Sequence, residues 1–144
     1  RSADGAGFDS LYLCGVTPTP GNPKLAKTAL GAHNVMQWAY WPNAVDLAER
    51  LRGAGHHLWV LEEGERAESL FAAPPPPKRT VLVIGSEVTG VDPDLLRLCE
   101  RTFAIPMRGV KRSLNVATAF GIAALILSNR VELVQRECLE DLPG

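Results

Sequence analysis

Short apolar runs rich in β-branched residues alternate with stretches of helical periodicity along the whole chain. The runs typical of strands are residues 11–14, 57–61, 80–84 and 102–105, with a less distinct one between 34 and 40. The stretches typical of helices are residues 24–30, 43–53, 67–71, 92–98 and 114–132. No hairpin signal such as Asn-Gly joins two of the strands. The alternation therefore predicts an α/β fold with a mostly parallel sheet flanked by helices.

Proline and glycine mark the boundaries of these elements. Asp92-Pro93 supplies an N-cap and a first-turn proline for one helix, and Gly53 ends another. The strand TVLVI at 80–84 is β-branched on both faces, which predicts a central parallel strand. AAPPPP at 72–77 is an extended surface segment. We expect it to be a loop inside one domain that covers residues 1–144.

Two loops that follow predicted strands contain candidate functional residues, because ligands bind at the carboxyl ends of parallel strands. In GSEVTG, at 85–90, two glycines permit a sharp turn and Glu87 lies between them. This loop is not a phosphate cradle, since it lacks both glycine-rich phosphate motifs and its carboxylate would repel phosphate. An ordinary strand-to-helix turn with a solvated glutamate is the alternative.

The second loop, IPMRGVKRSLN at 105–115, brings three cations close together and ends at the long apolar helix. Arg108, Lys111 and Arg112 could contact phosphate, or they could form a solvated basic turn. Ser113 and Asn115 are both good N-cap residues, yet only one of them can cap the helix. Capping therefore leaves one of the two polar residues unexplained.

Composition narrows the class of protein. The 144 residues are 46% hydrophobic and 22% charged, with a net charge of −1, so any nucleic-acid partner must meet a local basic patch. The three cysteines are odd in number and lack the spacing of a metal site, which favours a reducing cytoplasm and no zinc. No apolar stretch is long enough to span a bilayer, and the N-terminus lacks a signal sequence and an initiator Met.

The two loops in their context resemble a known family. VLVIGSEVTGVDPDLL followed by AIPMRGVKRSLNVATAFGIAALIL is similar in order, spacing and identity to the second and third motifs of the SpoU (TrmH-type) RNA ribose methyltransferases. These enzymes belong to the SPOUT superfamily. The first motif of the family is Asn-x-Gly-x-x-x-Arg, and Arg1 resembles its last residue. We therefore expect this chain to be a catalytic domain that begins inside the first motif.

The resemblance implies a C-terminal deep trefoil knot and S-adenosylmethionine as the methyl donor, held in the knot by three loops. The implied cofactor-binding residues are Leu61, Glu62, Gly64, Ile84, Gly85, Ile105, Met107 and Leu114. Their apolar walls and backbone groups suit an adenine ring. No metal is implied.

The implied reaction is methyl transfer to a ribose 2′-hydroxyl of tRNA or rRNA in the cytoplasm. The implied catalytic residues are Arg1, Glu87, Ser113 and Asn115, with Arg1 acting together with an RNA phosphate. The candidate RNA-contacting residues are Lys24, Lys27, Arg108, Lys111 and Arg112. The family also implies a homodimer, to which the apolar helix after Asn115 would contribute.

Three alternatives remain open at the level of the sequence. The chain could be a catalytically silent module that binds cofactor or RNA. It could instead be another α/β nucleotide-binding domain that uses GSEVTG as its ligand loop. A third alternative, a SPOUT enzyme that methylates a base nitrogen, is disfavoured by Ser-Leu-Asn, which is typical of the ribose-methylating branch. The target nucleotide cannot be deduced from one chain.

Overall fold

The computed structural model describes residues 2–15 and 36–140, with side chains through residue 131. The helices are α1 (Ser2–Gly5), α2 (Ala44–Gly53), α3 (Pro93–Leu98) and α4 (Val116–Glu140). The strands are β1 (Ser10–Cys14), β2 (Gln37–Trp41), β3 (His57–Leu61), β4 (Glu68–Ser69), β5 (Thr80–Ile84) and β6 (Arg101–Ala104), with a 3₁₀ turn at Leu70–Ala72. The predicted helix 24–30 lies outside the described residues.

The α/β prediction is confirmed: every strand pair in the described part of the chain is parallel. The strands form two sheets, whereas one was expected. β1 pairs with β2, and the larger sheet has the order β4-β6-β3-β5. The predicted strands 57–61 and 80–84 and the helix through Leu98 have the expected bounds.

Strand β5 was predicted to be central, and this was wrong, because β3 lies between β6 and β5. The β-branched pattern of β5 has another cause. Val81 and Val83 pack against the cluster formed with α2 and α3, while Leu82 packs against the cluster formed with α4. Both faces of β5 are covered by helices even though it is an edge strand of the described sheet.

The larger sheet is the middle of three layers, since side chains alternate along each strand. Trp59 and Phe103 face α4, where they meet Ala123 and Leu127. On the opposite face, Leu58 and Val60 meet Ala48 of α2 and Leu95 of α3. Burial of these side chains holds β3 and β6 rigidly, so the loops at their carboxyl ends start from fixed points.

Two helix predictions require correction. The segment near 67–71 is not a helix, because Glu68 and Ser69 pair with the edge of β6 and Leu70 is completely buried in the 3₁₀ turn. The long helix begins at Val116 rather than Leu114 and continues to Glu140. It starts there because Asn115 is its cap.

Two smaller contacts complete the described fold. Phe8, just after α1, packs on Phe120 of α4 with ring centroids 5.7 Å apart. Arg130 of α4 donates to the carbonyls of Phe71 and Ala73, which fixes the start of the proline segment. Within residues 2–15 and 36–140, no helix is long and apolar enough to cross a membrane.

Candidate active site

The carboxyl ends of β3, β5 and β6 meet at one edge of the sheet because the three strands are parallel neighbours. Their following loops and the start of α4 enclose a cavity of about 700 Å³. Seven of the eight predicted cofactor-binding residues line this cavity: Leu61, Glu62, Ile84, Gly85, Ile105, Met107 and Leu114. The eighth, Gly64, lines a neighbouring cavity. The structure thus brings together three loops that lie far apart in the sequence.

The loop after β5 folds back on itself. Ser86 and Gly90 exchange two backbone hydrogen bonds of 3.3 and 3.0 Å, and the hydroxyls of Ser86 and Thr89 lie 2.7 Å apart. A Cβ on Gly85 would lie 2.3 Å from the carbonyl carbon of Gly90 and 2.5 Å from the nitrogen of Val91. Only glycine fits at position 85, and the backbone crossing there shapes one wall of the cavity.

Glu62, the first residue after β3, connects its own loop to this one. Its half-buried carboxylate accepts a hydrogen bond from the backbone N–H of Val91, with an Oε2–N distance of 2.8 Å. Gly90 has a φ of +69°, and a Cβ there would lie 2.9 Å from the same carboxylate oxygen. Gly90 is therefore required both by its backbone conformation and by the carboxylate beside it.

Asn115 joins the loop after β5 to helix α4. Its Oδ1 accepts from the N–H of Ala117 at 2.9 Å, and its backbone carbonyl accepts from the N–H of Ala119 at 2.9 Å. Its Nδ2 donates to Oε1 of Glu87 at 2.9 Å. The amide thus caps the helix with one end and holds a carboxylate with the other.

Ser113 and Leu114 precede the cap and both line the cavity. Ser113 is exposed and makes no hydrogen bond to any residue in the described part of the chain. Leu114 is half-buried between two exposed polar neighbours. The cap is therefore Asn115, and Ser113 keeps its hydroxyl available at the cavity.

The charge of the cavity is negative. Glu62, Glu63 and Glu87 contribute carboxylates to its lining, and no Lys or Arg of the described residues lines it. Apolar side chains such as Ile84, Ile105 and Leu114 line it as well, together with the polar side chains of Ser86, Thr89, Ser113 and Asn115. A ligand rich in phosphate would meet unfavourable electrostatics here, whereas a cationic ligand would be attracted.

The predicted basic residues that the structure describes lie beside this cavity rather than in it. Lys111 and Arg112 line the second cavity, of about 940 Å³, which shares Ile105 and Met107 with the first. Arg108 is exposed in the same loop. The remaining predicted residues, Arg1, Lys24 and Lys27, lie outside the described residues.

The sequence analysis missed three residues that shape the site. Ser86 and Thr89 close the loop after β5, and Glu63 adds to the negative lining. The Ser-x-x-Thr spacing inside GSEVTG was a usable signal, because hydroxyls at this spacing stabilise tight turns. No group of three or more His, Cys, Asp or Glu side chains in the described part of the chain could hold a metal ion.

Comparisons with known proteins find one family and several relatives. A model of the SpoU rRNA Methylase family matches residues 1–125. A tRNA (guanosine(18)-2′-O)-methyltransferase of Thermus thermophilus is 33% identical over 130 residues, which cover 88% of this chain and 62% of the relative. A 23S rRNA (guanosine(2553)-2′-O)-methyltransferase of Bacillus subtilis is 29% identical over 124 residues, covering 85% of this chain and 48% of the relative.

Solved structures show the same fold. The crystal structure of an AdoMet-bound rRNA methyltransferase from Sinorhizobium meliloti matches with a TM-score of 0.84 at 26% identity, covering 91% of this chain and 49% of that one. The chain spans about half to three fifths of the length of the two curated relatives from Bacillus subtilis and Thermus thermophilus.

Proposed function

Because this chain belongs to the SpoU rRNA Methylase family, we propose that it transfers a methyl group from S-adenosylmethionine to a ribose 2′-hydroxyl of tRNA or rRNA. The relatives from Thermus thermophilus and Bacillus subtilis are named as 2′-O-methyltransferases of these two RNA classes. The observation that carries the proposal is the lining of the first cavity, which combines apolar walls, three carboxylates and no described cation.

This lining fits S-adenosylmethionine better than a phosphate-bearing nucleotide. An adenine ring would meet apolar walls, and neighbouring backbone groups can form hydrogen bonds to its edge. The walls are formed by Leu61, Ile84, Ile105, Met107 and Leu114. The carboxylates attract a positively charged sulfur and disfavour phosphate. When bound, the cofactor supplies an electrophilic methyl group on that sulfur.

The remaining requirement is a correctly oriented ribose hydroxyl that can lose its proton. Glu87, held at Oε1 by Asn115, retains a second oxygen that can accept a hydrogen bond from the hydroxyl. Ser113 can bond the ribose, since its hydroxyl makes no hydrogen bond to any other described residue. We assign deprotonation of the hydroxyl to Arg1 together with an RNA phosphate, as the resemblance of Arg1 to the first-motif arginine implies.

The same proposal includes the finer features of the family. Residues 1–144 would form the catalytic domain, the C-terminal part would be knotted, and the protein would act in the cytoplasm. The protein would also be a homodimer, as the resemblance implies, and Leu125 of α4, which is 52% exposed, would be available to the partner. Arg108, Lys111 and Arg112 would contact the RNA backbone, with Lys24 and Lys27 as further candidates.

Calorimetry tests the choice of ligand. We expect S-adenosylhomocysteine to bind, and ATP and NAD not to bind. Binding of ATP or NAD with no binding of S-adenosylhomocysteine would contradict the proposal and favour the nucleotide-binding alternative.

Mass-spectrometric mapping of 2′-O-methylated nucleotides tests the reaction. Bulk tRNA and rRNA are incubated with the cofactor and the protein. We expect a new methylated ribose in one RNA class. Cofactor binding without methylation would instead indicate a silent binding module.

A further inference from the structure

We propose that Glu62 is a positioning residue that fixes the loop of residues 85–91 in its ligand-binding form and thereby sets the affinity for the methyl donor. The inference rests on the proposed function for the identity of the ligand. The role of the carboxylate is argued only from its hydrogen bond to Val91 and the surroundings of that bond.

The loop has few bonds to the rest of the protein. Its hydrogen bonds between Ser86 and Gly90 and between Ser86 and Thr89 are internal, so they shape the loop without attaching it. In the described part of the chain, two side-chain hydrogen bonds join it to other segments. These are the bond from Val91 to Glu62 and the bond from Asn115 to Glu87.

The two bonds differ in position and surroundings. The bond between Asn115 and Glu87 lies at the exposed tip of the loop. The bond between Glu62 and Val91 lies at its base and is partly buried, where the side chain of Val91 enters the core between α2 and α3. A partly buried charge-assisted bond is stronger than an exposed one, so the base is the firmer attachment.

A carboxylate is well suited to this place. The Val91 N–H needs an acceptor, because an unpaired backbone donor in a partly buried position is costly. Gly90 has no side chain, which leaves room for the Glu62 carboxylate to approach. Removing the carboxylate would detach residues 90–91 from the loop after β3. The cavity wall at Gly85, which these residues contact, would then lose its fixed position.

The test compares three variants of the whole chain by binding of S-adenosylhomocysteine. Glu62→Ala removes the acceptor, and we expect affinity to fall about tenfold, the scale of one lost charge-assisted hydrogen bond. Glu62→Gln keeps an acceptor oxygen and should retain most of the affinity. Glu49→Ala is the control, since it removes an exposed carboxylate of α2 that does not line the cavity.

Amide hydrogen exchange at Val91 provides a readout that does not depend on the function. We expect faster exchange at Val91 in Glu62→Ala and wild-type exchange in Glu62→Gln and Glu49→Ala. Wild-type exchange in Glu62→Ala would overturn the attachment. Faster exchange with unchanged affinity would overturn its role in binding. Absence of binding by the wild-type protein would contradict the proposed function and leave the exchange result to decide the attachment.

Gly90→Ala provides an independent check should Glu62→Ala fold poorly. A Cβ at position 90 would lie 2.9 Å from the Glu62 carboxylate, so this variant should displace the carboxylate from Val91. We expect it to speed exchange at Val91 and weaken binding as Glu62→Ala does. Wild-type exchange at Val91 in Gly90→Ala would overturn the role of this contact.

In the methyl-transfer assay, Glu62→Ala should raise the KM for the methyl donor while kcat at saturation is retained. A loss of kcat with an unchanged KM would contradict a positioning role in cofactor binding.

Discussion

Asn115 occupies a position where one amide must satisfy two partners. Its Oδ1 accepts from the helix start, and its Nδ2 donates to Glu87. Because the oxygen is bound to backbone N–H groups, the nitrogen can only point away from the helix, toward the loop after β5. The orientation of Glu87 is therefore fixed by the start of α4.

Replacement of Asn115 by Asp separates these two roles. Aspartate caps helices as well as asparagine does, so the start of α4 should persist, but the donor to Glu87 is replaced by a second carboxylate. We expect a small change in stability and a loss of methyl transfer on the order of a hundredfold, the scale of one misplaced catalytic group. Asn115→Ala should in addition cost about 1 kcal/mol of stability through the lost cap. Unfolding by denaturant and initial rates measure the two effects.

The companion variant Glu87→Gln in the Asn115→Asp background checks the interpretation. Its amide can donate to the new aspartate, so the hydrogen bond is restored with reversed polarity. If stability recovers and activity does not, the charge of Glu87 is needed in the reaction. Wild-type activity of Asn115→Asp alone would contradict any role for the pair.

For single residues, the sequence limited the N-cap of α4 to Ser113 or Asn115 but could not choose between them. Both residue types are favourable caps, and the choice depends on where the backbone of residues 105–115 enters the helix. That path is set by contacts with loops distant in sequence, such as the one carrying Glu87. The residue types of the cavity were predictable from the family motifs, whereas the bond from Glu62 to Val91 requires the folded loops.

Among the elements, β4 shows how tertiary contacts override local pattern. Residues 67–71 have helical periodicity, but Arg101 of β6 donates to both carboxylate oxygens of Glu68, at 3.0 and 2.7 Å. The Arg101 guanidinium also lies 5.7 Å from the Trp59 ring centroid and 5.4 Å from that of Phe103. A periodicity of five residues carries little weight against these contacts, which join segments far apart in the chain.

The pair of Glu68 and Arg101 predicts a pH dependence of stability. The hydrogen bond from Arg101 lowers the pKa of Glu68 below its ordinary value of 4.5. A carboxylate with a lowered folded-state pKa stabilises the fold above the unfolded pKa, and this contribution disappears as pH falls through the folded pKa. The difference in unfolding free energy between wild type and Glu68→Gln should therefore be present at neutral pH and vanish in acid.

Arg101→Lys is the matched control for this pair, because it keeps the charge but loses the planar guanidinium that bonds both oxygens. It should lower stability at neutral pH and reduce the acid dependence only in part. A pH-independent difference between wild type and Glu68→Gln would show that the ion pair contributes nothing to stability.

At the scale of the whole molecule, the sequence predicted that the strands run parallel, but not which strands are neighbours in the sheet. Hydrophobic runs identify strands but do not say which pair, so β5 was placed in the centre although β3 occupies it. The cavity depends on these neighbours, since only adjacent parallel strands bring their following loops together. A knot is likewise a property of the path of the chain, and no periodicity reports it.

With a net charge of −1, the proposed binding of RNA must depend on local cations. Arg108, Lys111 and Arg112 are all exposed in the loop after β6, next to the proposed cofactor cavity. Replacing all three by Ala should weaken RNA binding and reduce its salt dependence, because fewer counterions are released. If each residue contacts one phosphate of a single strand, the slope of log affinity against log salt should fall by about 2.

Lys78→Ala is the matched control. Lys78 is also exposed, but it precedes the amino end of β5, whereas the three cations follow the carboxyl end of β6. This variant should leave the salt slope unchanged. Binding of S-adenosylhomocysteine should survive the triple replacement, because none of the three cations lines the first cavity. An unchanged salt slope in the triple variant would place the RNA on another surface. Loss of cofactor binding together with RNA binding would instead indicate that the replacements distort residues 105–115.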